Sequence, residues 1–182
     1  SFMAKIGEGD PRWIVSERQD GRNVNQWHWE EKDIFPWAKE RFIHYMCNQD
    51  LVLSESLTIK TGNIKKFEGD CACNLRKKKV IITYDIAAEI EWVHSRIAAP
   101  GADAIQDNIT KGVFKFPSIS MENEAHEHEI EISVTSTHKS AGKMRDDVKA
   151  KAKTVIMKKL AEFIEEVMAY GREAQAGIPS TG

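Results

Sequence analysis

Apolar side chains at every second position over residues 80–92 constrain this chain more than any other feature of its sequence. Successive side chains of a β-strand point to opposite faces, so the pattern predicts one long strand with a covered face and a wet face. The apolar positions are Val80, Ile82, Tyr84, Ile86, Ala88, Ile90 and Trp92, and the polar ones between them include Thr83, Asp85, Glu89 and Glu91. A sheet with only one covered face is antiparallel by preference.

Three further strands are predicted around this segment. Residues 56–75 form one bent strand or two short ones, because Gly62 and Gly69 interrupt their apolar positions. Residues 109–117 form the next strand. Residues 126–135 form the last, with Ile130, Ile132 and Val134 inward against Glu127, Glu129 and Glu131.

Helical spacing appears on both sides of the strands. Asp33 is a predicted cap for a helix that runs to about Asn48, with Pro36 in its first turn. A second, longer helix is predicted after Gly142, ending near Ala169, where Gly171 is a plausible stop. Its apolar stripe comprises Val148, Ala152, Val155, Ile156, Leu160, Phe163, Ile164 and Val167. The order predicts an α+β fold: an N-terminal helix, a four-stranded antiparallel meander, and a long C-terminal helix packed on the sheet.

The chain divides into three predicted parts. Residues 1–29 are an irregular N-terminal segment, in which Ser1 and Phe2 before Met3 resemble a cloning remnant. Residues 30–173 form the folded domain, with a loop predicted at 95–108. Residues 174–182 resemble the start of a linker to an absent C-terminal domain.

Composition excludes several classes of protein. Five Trp and seven Phe argue against disorder throughout, and the longest apolar runs are too short to span a membrane. A net charge of −2 argues against a uniformly basic nucleic-acid binder. Three Cys and no apolar leader indicate a reducing, cytoplasmic location. We expect a monomer.

Charge is unevenly distributed along the chain. Residues 76–79 are four consecutive cations, residues 121–131 hold five Glu without Lys or Arg, and residues 139–159 hold eight basic and two acidic side chains. Poles of opposite sign steer a partner with complementary poles. The simpler interpretation is a solvated face on each element. A nucleic-acid patch at Arg76, Lys77, Lys78 and Lys79 is a third possibility, although no aromatic residue lies within the run to stack on bases.

Two pairs of soft ligands suggest a small metal-binding protein as an alternative. Cys71 and Cys73, like His126 and His128, are two residues apart, so each pair shares one strand face. These spacings differ from those usual in zinc sites, and half-buried thiols with edge imidazoles are the simpler interpretation. We expect no metal and no other cofactor.

The segment Asn23-Val24-Asn25-Gln26-Trp27-His28-Trp29 resembles the N-x-N-x-W-H-W motif of activators of the heat-shock protein 90 ATPase. The segments Gly7 to Val15, Glu68 to Cys71, Asn74 to Val80 and Gly112 to Pro117 are similar to the same family. One departure is Lys78, which stands where the family has a glycine, a residue suited to a turn with positive φ. Lys78 is expected to strain that turn or to shift it.

The resemblance implies a co-chaperone and not an enzyme. Its N-terminal domain binds the middle domain of heat-shock protein 90 and favours the closed, ATPase-competent state. The positions that carry over as partner contacts are Asp70, Arg76, Lys77, Lys79 and Glu122. The positions linked to activation near the partner's N-terminal domain are Asn23, Asn25, Trp27, His28 and Trp29.

Overall fold

The segment with apolar side chains at every second position forms a central strand of the sheet. The computed structural model describes residues 30–95, 109–137 and 139–179, so the predicted irregular N-terminal segment and nearly all of the predicted loop at 95–108 lie outside the described residues. The strands are β1 (Glu30–Asp33), β2 (Asp50–Ser54), β3 (Leu57–Arg76), β4 (Lys79–Ser95), β5 (Ile109–Ser120) and β6 (Glu131–Val134), and the helices are α1 (Phe35–Met46) and α2 (Ala141–Ala176).

The sheet is antiparallel throughout, in the order β1-β3-β4-β5-β6, with β2 also paired to β3. The four predicted strands are therefore confirmed as a meander from β3 to β6. Sequence reasoning missed β1 and β2, which have four and five residues. Strands this short show too few alternations to be distinguished from loops.

β3 is one strand of 20 residues, which decides between the two predicted alternatives. Its pairing with β4 shifts register on both sides of Ile64, and these irregularities absorb the bend expected near Gly62. Gly69 has a φ of 125°, and a Cβ there would lie 2.0 Å from the Asp85 carbonyl oxygen. Only glycine lets the two strands approach so closely at this point.

The predicted strand over residues 126–135 is wrong in its first half. Residues Ala125–Glu127 form a 3-10 turn, in which the Glu124 N–H donates to the Glu127 carboxylate at 2.8 Å. Strand pairing begins only at Glu131, where Ile132 and Val134 lie opposite Phe114 and Gly112 on the covered face. Local hydrogen bonds of the glutamates thus replace the start of the strand.

α1 begins and ends within two residues of the prediction. The Phe35 N–H donates to Asp33 Oδ1 at 2.9 Å, so Asp33 supports the helix start although Ile34 is the N-cap residue. Trp37, Ala38, Phe42 and Met46 are buried on one side of the helix.

α2 is 36 residues long, which is about 54 Å, and it lies across the sheet. The predicted apolar stripe is confirmed, but the predicted stop at Gly171 is wrong. Gly171 is buried inside the helix, where a Cβ would lie 2.7 Å from Ile82 Cγ1 on β4. This glycine permits close contact between helix and strand, and the helix continues to Ala176.

Both helices pack on the same face of the sheet. The Phe42 ring of α1 lies 5.9 Å from Phe116 on β5 and 5.3 Å from Phe163 on α2, with both pairs edge-on. Arg41 and Glu166 form an ion pair of 2.9 Å between the two helices, with exposed side-chain fractions of 13% and 9%. The opposite face of the sheet, called the open face below, carries Asp85, Glu89 and Glu91, as the alternation predicted.

Candidate partner-binding surface

The basic run forms the tip of the β3–β4 hairpin. Arg76 and Lys79 are opposite each other, and Lys77 and Lys78 make the two-residue turn between them, so residues 76–79 are called the cationic turn. Lys77 and Lys78 have φ values of 51° and 66°. Positive φ at both central residues is the property of a type I′ turn, which matches the twist of the flanking strands.

Lys78 occupies the left-handed region of backbone conformation despite its side chain. A non-glycine residue in this region costs about 1 kcal/mol or more. Arg76, Lys77 and Lys79 are exposed, whereas Lys78 is half-buried.

A side chain that sequence reasoning missed holds this turn. Gln175 of α2 donates from Nε2 to the Lys78 carbonyl oxygen at 2.9 Å and accepts at Oε1 from the Val80 N–H at 2.8 Å. The two bonds join residues 97 and 95 positions apart. No local pattern in the sequence marks such a contact.

Asp70 lies on the open face with Arg76 but at some distance from it. They are six positions apart in β3, or about 20 Å along the strand. Asp70 is opposite Asp85, and Asp85 is opposite Ser120, so these three form a row across the sheet. The Ser118 hydroxyl donates to Asp85 Oδ1 at 3.1 Å.

Glu122 lies near the end of the same row. Its N–H donates to Ser120 Oγ at 3.2 Å, and the Met121 N–H donates to the Tyr84 carbonyl oxygen at 3.3 Å. The buried His128 side chain accepts at Nε2 from the Ser120 N–H at 3.1 Å, and this bond supports the turn that follows β5. The structure therefore groups Asp70, Asp85 and Glu122 as an acidic row, apart from the cationic turn.

Exposed apolar side chains border this surface. Ile81 is 44% exposed and Met121 is 48% exposed, and Ile81 lies on the open face beyond the acidic row, next to the cationic turn. Beside them, between β4 and α2, is a groove of about 540 Å³ whose lining includes Val80, Tyr84 and Met168. Sequence reasoning missed this apolar surface, although alternation alone places Ile81 opposite the covered face of β4.

The two residue pairs of the alternative metal-binding hypothesis are not brought together. Cys71 and Cys73 are buried under the helices, and burial raises the pKa of the Cys71 thiol to about 12. His128 is buried and bonded to the Ser120 N–H, whereas His126 is exposed beside Glu124. Within residues 30–95, 109–137 and 139–179, no three His, Cys, Asp or Glu side chains are grouped to hold a metal ion.

The predicted activation motif, Asn23, Asn25, Trp27, His28 and Trp29, lies outside the described residues. The described chain begins at Glu30, which pairs with Leu75, next to Arg76 in β3. The chain therefore enters the sheet at the end that carries the cationic turn. Among the helices of the described residues, neither is long and apolar enough to cross a membrane.

A family model described as "Activator of Hsp90 ATPase, N-terminal" matches residues 31–170. The chain is 39% identical over 131 residues to an activator of 90 kDa heat shock protein ATPase homolog 2 from Bos taurus, covering 72% of this chain and 47% of the relative. A homolog 2 from Mus musculus is 37% identical over 131 residues, covering 72% of this chain and 37% of that relative.

The chain thus spans less than half the length of these relatives. A crystal structure of Aha-1 from Plasmodium falciparum shares the fold, with a TM-score of 0.61 at 20% identity, covering 78% of this chain and 90% of that one. The fold agrees with the family model, whose matched residues include the segment 74–80. The chain therefore belongs to the family of activators of the Hsp90 ATPase and corresponds to their N-terminal domain.

Proposed function

We propose that this chain is a co-chaperone domain that binds the middle domain of heat-shock protein 90 and stimulates its ATPase. The observation that carries the proposal is the protruding cationic turn. Pairing of β4 with β5 ends at Asp85 and Ser120, so the β3–β4 hairpin extends six more residues, about 20 Å, beyond β5. Arg76, Lys77 and Lys79 are exposed at its tip.

The charges on this face fit a partner with two complementary poles. Arg76, Lys77 and Lys79 form charge-assisted hydrogen bonds with carboxylates of the partner. Asp70, about 20 Å from Arg76 along β3, and Glu122 face its cations. Exposed Ile81 and Met121 supply apolar area near these poles, and desolvated apolar contacts commonly carry much of the energy of such interfaces.

Activation in this proposal is a population shift. The domain binds the closed, ATPase-competent conformer more tightly than the open one, and the difference in affinity sets the size of the effect. The motif of Asn23, Asn25, Trp27, His28 and Trp29 acts near the partner's N-terminal domain. The described residues begin at Glu30, which pairs with Leu75 at the end of the sheet that carries the cationic turn. The chain supplies no catalytic group or cofactor and works as a cytoplasmic monomer.

Charge reversal tests the contact. The double variant Arg76→Glu and Lys77→Glu is expected to abolish stimulation of full-length heat-shock protein 90, measured as the steady-state ATPase rate, while its circular dichroism and melting temperature stay unchanged. The matched control reverses Lys149 and Lys153, two exposed cations on the other half of α2, and is expected to keep stimulation. Affinity of the unmodified chain is expected to fall as salt rises. Full stimulation by the doubly reversed turn would refute the assignment.

Removal of residues 1–29 separates activation from binding. Stimulation at saturation is expected to fall more than affinity does. If both fall equally, the tryptophan motif is a simple anchor and not an activating segment.

A further inference from the structure

The cationic turn has an unusual composition for its geometry. Two-residue turns with positive φ at both central positions are dominated by Asn-Gly and Asp-Gly, because other side chains are strained there. Here both positions are lysines, with φ values of 51° and 66°. A Lys-Lys turn left to itself would populate other conformations, and Arg76 and Lys79 would then lose their fixed directions.

The Gln175 side chain stabilises the positive-φ conformation that two lysines do not favour by themselves. Its side-chain amide bonds both the carbonyl oxygen of Lys78 and the N–H of Val80, and these groups flank Lys79. One donor and one acceptor on a planar amide match one carbonyl and one N–H on the backbone, as a neighbouring strand would. The two bonds hold the outer edge of the hairpin at its tip.

The position of Gln175 is itself determined by packing. Gly171 lies four residues earlier in α2, on the same side of the helix, and brings the helix into direct contact with Ile82 of β4. Ala174, three residues after Gly171, is buried as well. The end of α2 is thus seated on the hairpin, and Gln175 reaches the turn from a rigid element.

We propose that Gln175 is a positioning residue for partner binding: its amide keeps the Lys77–Lys78 backbone in the left-handed turn, so that the flanking cations are presented in fixed directions. The inference rests on the proposed function. A turn held before association loses less conformational freedom when it binds, and affinity rises accordingly.

The test uses the full chain with full-length heat-shock protein 90. In Gln175→Ala, amide hydrogen exchange at Val80 is expected to accelerate about tenfold, and affinity for the partner to fall about fivefold to tenfold. Maximal stimulation at saturation stays unchanged, because the cations remain. Gln175→Glu keeps an acceptor for Val80 but loses the donor to Lys78, and gives an intermediate affinity. Glu173→Ala, an exposed position on the same turn of the helix, is the control and keeps normal affinity.

Rescue separates positioning from a general structural role. Adding Lys78→Gly to Gln175→Ala is expected to restore most of the affinity, because glycine adopts positive φ without strain. Lys78→Gly alone is the reference for this rescue, because it too lacks the Lys78 charge; adding Gln175→Ala to it should lower its affinity by less than about twofold.

Three results would overturn the inference: unchanged Val80 exchange in Gln175→Ala, unchanged affinity in that variant when the Arg76 and Lys77 reversal abolishes binding, or no rescue by glycine. If the charge reversal itself leaves binding intact, the proposed contact is wrong and the positioning role falls with it. Val80 exchange then still reports whether Gln175 holds the turn.

Discussion

Replacing Gly171 by alanine tests how closely α2 is seated on the sheet. The same substitution at Gly142 is its matched control, since both glycines lie in α2. Gly171 is buried and a Cβ would lie 2.7 Å from Ile82 Cγ1 and 3.3 Å from its Cδ1, whereas a Cβ at Gly142 would meet nothing within 4 Å. The two variants therefore share the chemical change and differ only in surroundings.

The expected magnitudes follow from two opposing terms. Alanine in place of glycine stabilises a helix by up to about 1 kcal/mol. At Gly171 the added methyl group overpacks a buried contact, which costs about 1–3 kcal/mol, and Ile82 yields little because a β-branched side chain has few rotamers. We expect Gly142→Ala to be stabilising by about 0.5 kcal/mol and Gly171→Ala to be destabilising by about 1 kcal/mol.

Urea denaturation followed by circular dichroism measures both free energies of unfolding. In a melting experiment, the two variants should differ by about 3–6 °C for a chain of this size. The reasoning is refuted if Gly171→Ala is stabilised as much as Gly142→Ala, because α2 would then not contact Ile82 at the distance seen here.

Two further perturbations probe the core beneath the surface. Burial raises the pKa of the Cys71 thiol from 9.0 to about 12, so the folded chain holds a proton that the unfolded chain loses above pH 9. The contribution of this thiol to the free energy of unfolding is complete below pH 9 and is lost as the pH rises towards 12. Cys71→Ala should therefore lessen the fall of the urea midpoint between pH 9 and 10.5, and a midpoint that falls as steeply as in the original chain would contradict this. Arg41→Met, which leaves the buried Glu166 carboxylate without its partner, should destabilise by about 3 kcal/mol in urea denaturation. The double variant with Glu166→Leu should recover most of that loss, and failure to recover would mean that the packing of the two side chains, and not their charge, stabilises the pair.

Local sequence patterns predicted much of the fold. Alternation over residues 80–92 assigned the covered and open faces of β4, and the steps of three and four from Val148 to Val167 assigned the buried stripe of α2. Both succeed because each depends on a periodicity that the backbone imposes on every segment of its type. The cations at residues 76–79 were likewise visible without a structure, as was the family resemblance.

Contacts between distant segments were beyond such patterns. Glycine is a residue type typical of helix ends, so Gly171 was interpreted as a stop. Only the close approach of Ile82 shows why a glycine is needed there inside a helix that continues. Glu127, Glu129 and Glu131 alternate as in a strand, but a hydrogen bond from the Glu124 N–H to the Glu127 carboxylate accompanies a turn at Glu127. Asp70 and Arg76 are neighbours in the motif, yet an extended strand separates them and groups Asp70 with Asp85 and Ser120.

The sequence by itself determined which side chains are covered, which charges cluster, and to which family the chain is similar, because these follow from order along the backbone. Only the tertiary structure decided how the cationic turn is held. The amide of Gln175 bonds Lys78 and Val80 across more than 90 residues, and a hydrogen bond between such distant groups exists only once α2 is seated on β4. The sequence shows the four consecutive cations of the turn, but the strained conformation of the turn depends on that packing.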